Sequence, residues 1–352
     1  MSNDTRVNEN ETELLCIGNA IVDVFARDGN GLALRYGLCD PVQHVEIEKL
    51  KNLLSELGET TMVSGGGAAN AAKIAALLGA KVGFSGAIGD DRYGRLFGEG
   101  LRFAGVRTCL VEKRSPTGIC IVLQTGEGTR IAASPSAALE FSEDDVNGEE
   151  IRKAKVVVID GFILGRRGLV RRILALADQH GTAVAIDLGS TAIAAEEAEE
   201  IAAYVVSLDA AQDGVSPNMR RRPLFLFMNE DEAVSFRNAL GRTATEVEQI
   251  QKFFKSLTER SPSLVIVVKM GKRGAIYFAK GKAYNAGTEA VEPVETTGAG
   301  DAFCGAFLAA WTRGQTLSEC ADMGNKAARI VLDGAGTKVG KDAFKDLTAL
   351  WD

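Results

Sequence analysis

Lys155-Val156-Val157-Val158-Ile159, then helical spacing over residues 168–179, then Ala183-Val184-Ala185-Ile186-Asp187, is the stretch on which the fold turns. Two short apolar runs rich in β-branched residues bracket an amphipathic segment, which is the signature of parallel strands joined by a covering helix. The same alternation extends outward in both directions. Further strands are expected at 14–17, 81–85, 224–228 and 264–269, and further helices at 68–78, 191–203, 229–240, 245–257 and 317–332. The spacing therefore predicts one doubly wound α/β domain with a mostly parallel sheet, spanning residues 14–352 behind a polar tail of residues 1–13. Two regions break the rhythm, residues 22–45 with 60–63 and residues 117–133, where strands follow one another through turns such as Thr125-Gly126-Glu127-Gly128. They predict a small antiparallel sheet drawn from two separated segments. Such a sheet is expected to cap the main sheet as a β-lid, near the strand ends where open α/β folds bind ligands.

Composition narrows the function. The 352 residues are 46% hydrophobic and carry a formal charge of −7, which disfavours nucleic-acid or anionic-membrane binding and favours small-molecule work. The tail lacks the basic start and apolar core of a secretory leader, and no uncharged stretch is long enough to cross a bilayer, so a cytoplasmic location is expected. Six cysteines (16, 39, 109, 120, 304 and 320) form no CxxC pair and read as reduced thiols. With only His44 and His180, histidine-based triads and metal centres have little to build on, which leaves carboxylates or lysines for acid-base work. The polar stretch 209–222 reads as a surface loop whose three arginines are either a solvated charge run or a phosphate contact.

Four constellations could carry chemistry. In Thr296-Thr297-Gly298-Ala299-Gly300-Asp301, two glycines relax the chain just before an apolar helix, so the amides of residues 299–301 are its unpaired first-turn donors and an anion site. Asp301 there is either a helix cap or a base beside bound phosphate. In Ser64-Gly65-Gly66-Gly67-Ala68-Ala69-Asn70, small residues permit close approach of a ligand that Asn70 could hydrogen-bond, or simply a tight turn. Gly18-Asn19 to Asp23 places a carboxylate just past the first strand. Asn229 and Glu232, one turn apart after the strand 224–228, can hold hydrated magnesium or form a capping box. Each Gly-Lys pair lacks the Ser or Thr of a Walker loop, and Gly298-x-Gly300 is followed by Phe303 where a dinucleotide fingerprint needs glycine. A nicotinamide enzyme is thereby reduced to a third reading.

Taken in order, Gly18-Asn19 to Asp23, Gly65-Gly66-Gly67 to Asn70, Gly86 to Gly94, Asn229 to Glu232, Lys269-Met270-Gly271-Lys272-Arg273-Gly274 and Thr296 to Asp301 resemble the ribokinase-like, PfkB-type carbohydrate and nucleoside kinases. The resemblance spans nearly the whole chain. It implies an α/β core with a β-lid and transfer of the γ-phosphoryl group of ATP to a primary alcohol with Mg²⁺. Asp301 matches the family's base, Gly298, Ala299 and Gly300 its anion hole, and Asn19, Asp23, Gly66, Gly67 and Asn70 its acceptor site. Asn229, Lys269, Gly271, Gly274 and Asn325 match ATP-binding positions, with Glu232 reaching magnesium through water. Glu295 stands where many relatives have Asp, a position that often helps bind a monovalent cation, so activation by K⁺ is expected. The long segment between Asp23 and Gly65, and Pro116-Thr117-Gly118-Ile119-Cys120, are closer to adenosine kinases than to ribokinases. Adenosine is therefore the expected acceptor, with a sugar such as ribose or fructose as the alternative within the family. A non-catalytic sugar or nucleoside sensor is the alternative from another class. A monomer or a homodimer is expected.

Overall fold

The computed structural model describes residues 12–28, 31–40, 42–212, 222–241, 247–289, 297–333 and 341–348. Its strands are β1 (Thr12–Ile17), β2 (Ile21–Arg27), β3 (Val42–His44), β4 (Thr60–Gly65), β5 (Val82–Gly89), β6 (Arg107–Lys113), β7 (Gly118–Thr125), β8 (Gly128–Ser134), β9 (Ala154–Asp160), β10 (Ala183–Asp187), β11 (Leu224–Asn229), β12 (Leu264–Lys269), β13 (Ala275–Ala279) and β14 (Lys282–Ala286). Among the described residues they form a nine-stranded sheet, ordered β14-β13-β12-β11-β10-β9-β1-β5-β6, and a five-stranded sheet, ordered β3-β8-β7-β2-β4. The large sheet is parallel from β12 through to β6, and β13 and β14 are added antiparallel at one edge. From β1 the chain builds outward through β5 and β6, then returns to the other side of β1 through β9 to β12. The order thus reverses between β1 and β9, which is where an open α/β sheet leaves a crevice at its carboxyl edge.

Both faces of the large sheet are covered, which is why its strands read as unbroken apolar runs. One face packs Cys16, Val158, Ala185 and Phe227 against the helices Gly67–Leu77, Arg92–Phe103, Ala299–Thr312 and Leu317–Asp333. The other packs Ile17, Ile159, Ile186 and Met228 against Arg167–His180, Ala198–Gln212, Glu230–Ala239 and Val247–Arg260. The small sheet is drawn from the two separated segments that the sequence marks. Its β2–β4 and β7–β8 pairs run antiparallel, as expected, whereas the β2–β7 and β3–β8 pairs, which join segments distant in sequence, run parallel. Val22, Val24, Ile119 and Ile121 on its inner face are buried, and the alternate residues Ile21, Phe25, Ile131 and Ala133 remain partly open.

Most expected boundaries hold within a few residues, and β10 and β12 match at both ends. The single helix expected over 191–203 is instead two, Thr191–Glu196 and Ala198–Gln212. Glu197 closes the first of them and its carboxylate pairs with Arg167 at 3.3 Å, a tertiary contact with no local signal. The second helix runs through residue 212, into the stretch read as a loop, and residues 213–221 lie outside the described residues. The first strand begins at Thr12, two residues into the stretch read as tail. No helix among the described residues is long and apolar enough to cross a membrane.

Candidate active site

Five strand ends deliver polar residues to the carboxyl edge of the large sheet: Asn19 just after β1, Asp160 ending β9, Asp187 ending β10, Asn229 ending β11 and Lys269 ending β12. Register places Asp187 beside Asp160, and Lys269 beside Asn229. Over this edge lies the start of the Ala299–Thr312 helix, whose N-cap, Gly298, takes φ 83°, a left-handed turn that suits glycine. The amides of the first turn have no intrahelical acceptor, so the helix presents donors and the positive end of its dipole to the crevice. Phe303, Phe307 and Trp311 hold the helix in place against Phe225 and Phe227, with ring centroids 5.3 Å apart for Phe227–Phe307.

A second helix, Gly67–Leu77, crosses this one closely: a Cβ on Gly305 would stand 2.2 Å from the Ala71 carbonyl oxygen. That approach lets Asn70 Nδ2 donate to Asp301 Oδ2 at 2.9 Å. Gly66, at φ 92°, lets the chain enter the helix against β1, where a Cβ would stand 2.5 Å from the carbonyl oxygen of Asn19. Gly67 leaves room between two carboxylates, since a Cβ there would stand 3.5 Å from Asp301 Oδ1 and 3.7 Å from Asp160 Oδ1. Asn19 is oriented by Arg166, whose Nη2 donates to Asn19 Oδ1 at 2.7 Å while its Nη1 donates to the Ala138 carbonyl at 2.6 Å.

The electrostatics of this cluster are uneven. Burial, then the like charge of Asp187, lifts the Asp301 carboxyl to about 7, against the opposing pull of the Asn70 amide and the Lys269 ammonium. Burial likewise lifts Asp160 to about 6. Asp160 Oδ1 accepts from the Phe162 amide at 3.0 Å, and its Oδ2 has no hydrogen-bond partner of good geometry, although the Ala68 amide lies close enough to favour its charged form. Lys269 Nζ donates to Asp187 Oδ1 and Oδ2 at 2.8 and 3.0 Å. Burial alone would lower this ammonium, but Asp187 outweighs it and holds the group above the usual lysine range. The same Nζ lies 3.2 Å from where a Cβ on Gly300 would stand, which brings the cation up to the helix start.

Asp23, in the open-face register of the small sheet, pairs across to Cys120 and Val63. Its carboxylate is pressed against Gly65, where a Cβ would stand 1.9 Å from Oδ2. Burial lifts Asp23 to about 6, with the Lys73 ammonium and the Cys120 thiol working the other way.

At the end of β11, Asn229 and Glu232 form a complete capping box: Asn229 Oδ1 accepts from the Glu232 amide at 2.9 Å and Glu232 Oε2 accepts from the Asn229 amide at 2.9 Å. The capping reading is therefore realised. Glu232 is 3% exposed, and its carboxyl, raised by burial, feels Lys269 as its opposing charge. Gly271 and Gly274 shape the β12–β13 turn, and a Cβ on Gly274 would stand 2.2 Å from the Ala286 carbonyl oxygen. Asn325 Nδ2 donates to that same carbonyl at 2.9 Å and to Gly287 at 3.2 Å, so Gly274 and Asn325 meet at one point. Glu295 lies outside the described residues.

The sequence-derived residues thus gather in two adjoining groups, one around Asp23, Asn70 and Asp301, the other around Lys269, Asn229 and Glu232. Asp160, Asp187, Arg166 and Lys73 join them without having been singled out. Of these, Asp187 ended an expected strand and Lys73 interrupted an otherwise small and apolar helix, so both carried a faint signal. The donor set fits a nucleotide's phosphates: a helix start, a lysine and small residues where phosphate would approach. Among the described residues no group of three or more His, Cys, Asp or Glu is placed to hold a metal ion.

A model of the pfkB family of carbohydrate kinases matches residues 35–343. The chain is 28% identical to an adenosine kinase of Schizophyllum commune, over 92% of this chain and 96% of that protein. It is 29% identical to a 5-dehydro-2-deoxygluconokinase of Shouchella clausii, over 84% and 89% respectively. In fold it is similar to the crystal structure of adenosine kinase from Sinorhizobium meliloti, with a TM-score of 0.81 at 23% identity, covering 97% of this chain and all 100% of that one.

Proposed function

Since the chain belongs to the pfkB family of carbohydrate kinases, and so is a phosphotransferase acting on an alcohol, we propose that it transfers the γ-phosphoryl group of ATP to the 5′-hydroxyl of adenosine. The observation that carries this reading is the pairing of Asp301 with Asn70 at 2.9 Å, at the start of the Ala299–Thr312 helix and beside the Lys269 ammonium. A carboxylate poised to take an alcohol's proton stands next to donors suited to a phosphoryl group.

In this reading Asp301 orients the alcohol and accepts its proton, and the amides of Gly298, Ala299 and Gly300 bear the charge that develops on the transferred group. Asn19, Asp23, Gly66, Gly67 and Asn70 hold the acceptor's hydroxyls. Asn229, Lys269, Gly271, Gly274 and Asn325 hold ATP, and Glu232 reaches Mg²⁺ through water. When bound, ATP and Mg²⁺ supply the phosphoryl group and neutralise its charge. Glu295 helps bind K⁺, and a rate that does not respond to KCl, with choline chloride as control, rejects that assignment. The chain from Thr12 onward acts as one kinase domain, with the small sheet as its lid, in the cytoplasm, as a monomer or homodimer.

Adenosine is favoured by the half-open apolar residues Ile21, Phe25, Val63, Ile131 and Ala133 on the lid face that carries Asp23, because a purine ring has flat apolar area to cover and a free sugar has little. One observation favours a sugar instead. The buried Asp160 oxygen without a well-placed partner could accept from a further hydroxyl, which a polyol offers and a nucleoside offers less readily. Asp301→Asn tests the shared chemistry: acceptor binding is expected to stay near that of the unaltered chain while phosphoryl transfer falls by about 10²-fold or more. Equal turnover in that variant would remove Asp301 as the base, and acceptor binding without turnover in the unaltered chain would point to a sensor.

A further inference from the structure

Lys73 sits where three elements of the acceptor side meet. It follows Asn70 by three residues in the Gly67–Leu77 helix, so the two side chains leave from one helix face. Asn70 spends its amide on Asp301, while the Lys73 ammonium donates to the carbonyl of Ser64 in β4. The next residue, Gly65, is the one pressed against the Asp23 carboxylate. The side chain is 7% exposed, and among the described residues its ammonium, which has three N–H donors, has one protein acceptor. A buried ammonium so sparsely bonded needs opposite charge nearby. Asp23 on β2 and Asp301 at the helix start supply it.

We propose that Lys73 is a positioning residue of the acceptor site: its ammonium holds Asp23 in the anionic form that accepts hydroxyl hydrogen bonds, and it adds to the positive field that reaches Asp301. The proposal rests on the kinase reading above. Its competitor is a purely structural role, in which Lys73 only ties β4 to the helix. The two roles differ in pH behaviour. The groups facing this ammonium are Asp23 from β2, with Cys120 from β7 beside it, the Ser64 carbonyl from β4, and Asp301 from the Ala299–Thr312 helix. Burial lowers Lys73 to about 8, against Asp23 and then Asp301. Losing its charge lets burial raise Asp23 beyond about 6, so at neutral pH a larger share of Asp23 carries a proton and cannot accept. Asp301 follows in the same direction and by less, since Asp187, Asn70, Lys269 and Asp160 weigh more on it.

The test is steady-state kinetics from about pH 5 to about pH 9 with adenosine and ATP, on the unaltered chain, Lys73→Met and Lys73→Arg. Lys73→Met is expected to raise the acceptor KM about twofold at pH 7 and by close to tenfold at about pH 5, the effect of about one unit in the Asp23 pKa, leaving the ATP KM in place. It should also move the acid limb of kcat/KM for the acceptor to higher pH. Lys73→Arg, which stays charged, should keep the acid limb and the acceptor KM of the unaltered chain. An acid limb that moves as far in Lys73→Arg as in Lys73→Met overturns the proposal, and so does an unchanged acceptor KM and acid limb in Lys73→Met. Should the Met variant not fold, the Arg profile still decides. If the unaltered chain turns over no acceptor at all, the kinase reading fails and the proposal with it, whereas normal turnover with unmoved variants sinks the proposal alone.

Discussion

Asp301 answers to two opposing demands, a proton affinity high enough to take the alcohol's proton and ionisation before it does so. Burial and the charge of Asp187 set the balance near neutrality, at about 7. A base works only when ionised, so kcat/KM for the acceptor should fall as pH drops through that value and level off above it. Asp187→Asn removes a like charge and releases the Lys269 ammonium from its partner. Both changes favour the carboxylate form of Asp301, so the acid limb of the pH–rate profile should move to lower pH. A limb that stays put would assign it to another group. Gly65→Ala probes the acceptor end, because its Cβ would stand 1.9 Å from Asp23 Oδ2 and the carboxylate must move. The acceptor KM is expected to rise by about tenfold or more while the ATP KM holds. At this scale Asp301, Asn70 and Asp23 were legible, because each sits beside glycines in a motif. Asp160, Asp187 and Lys73 matter only through neighbours that the fold brings from elsewhere, and no local pattern announces that.

Two helices and one cap place the chemistry. The Gly67–Leu77 and Ala299–Thr312 helices approach so closely at Gly305 that an added methyl would meet the Ala71 carbonyl at 2.2 Å. Gly305→Ala should therefore cost about 1–3 kcal/mol of stability by overpacking, read by denaturant unfolding, and should lower kcat by separating Asn70 from Asp301. The Asn229–Glu232 capping box makes a separable prediction. Asn229→Ala should lose about 1 kcal/mol as a cap, whereas Glu232→Gln should leave more of the cap and raise the Mg²⁺ concentration needed for half-maximal rate. A Mg²⁺ dependence unchanged in Glu232→Gln would leave that residue as a cap alone. Periodicity located the helices that begin near Gly67 and Asn229, and an unbroken apolar run behind two glycines marked the Ala299–Thr312 helix. It missed the break at Glu197, which Arg167 stabilises from another helix, and the strands β6, β13 and β14, which lie at or next to the edges of the large sheet and whose patterns are weaker.

Across the whole molecule, the reversal of strand order between β1 and β9 opens the crevice into which Asn19 and Asp160 project, and the small sheet stands at the same end. The alternation of β-branched runs and helices was enough to read the large sheet and the existence of the small one. The parallel joins β2–β7 and β3–β8 were not readable, because they pair strands far apart in sequence, where no turn dictates direction. Acceptor choice belongs to this scale as well, since it depends on how the apolar lid face and the charged floor around Asp23, Lys73 and Asp160 share one ligand. Release of ADP with ATP and Mg²⁺, measured side by side for adenosine, other nucleosides, ribose, fructose and a hexonate, tests the central claim most directly. The account predicts that adenosine supports the highest kcat/KM and yields its 5′-monophosphate with one ADP released per product. Turnover on a free sugar or hexonate with none on adenosine would contradict it.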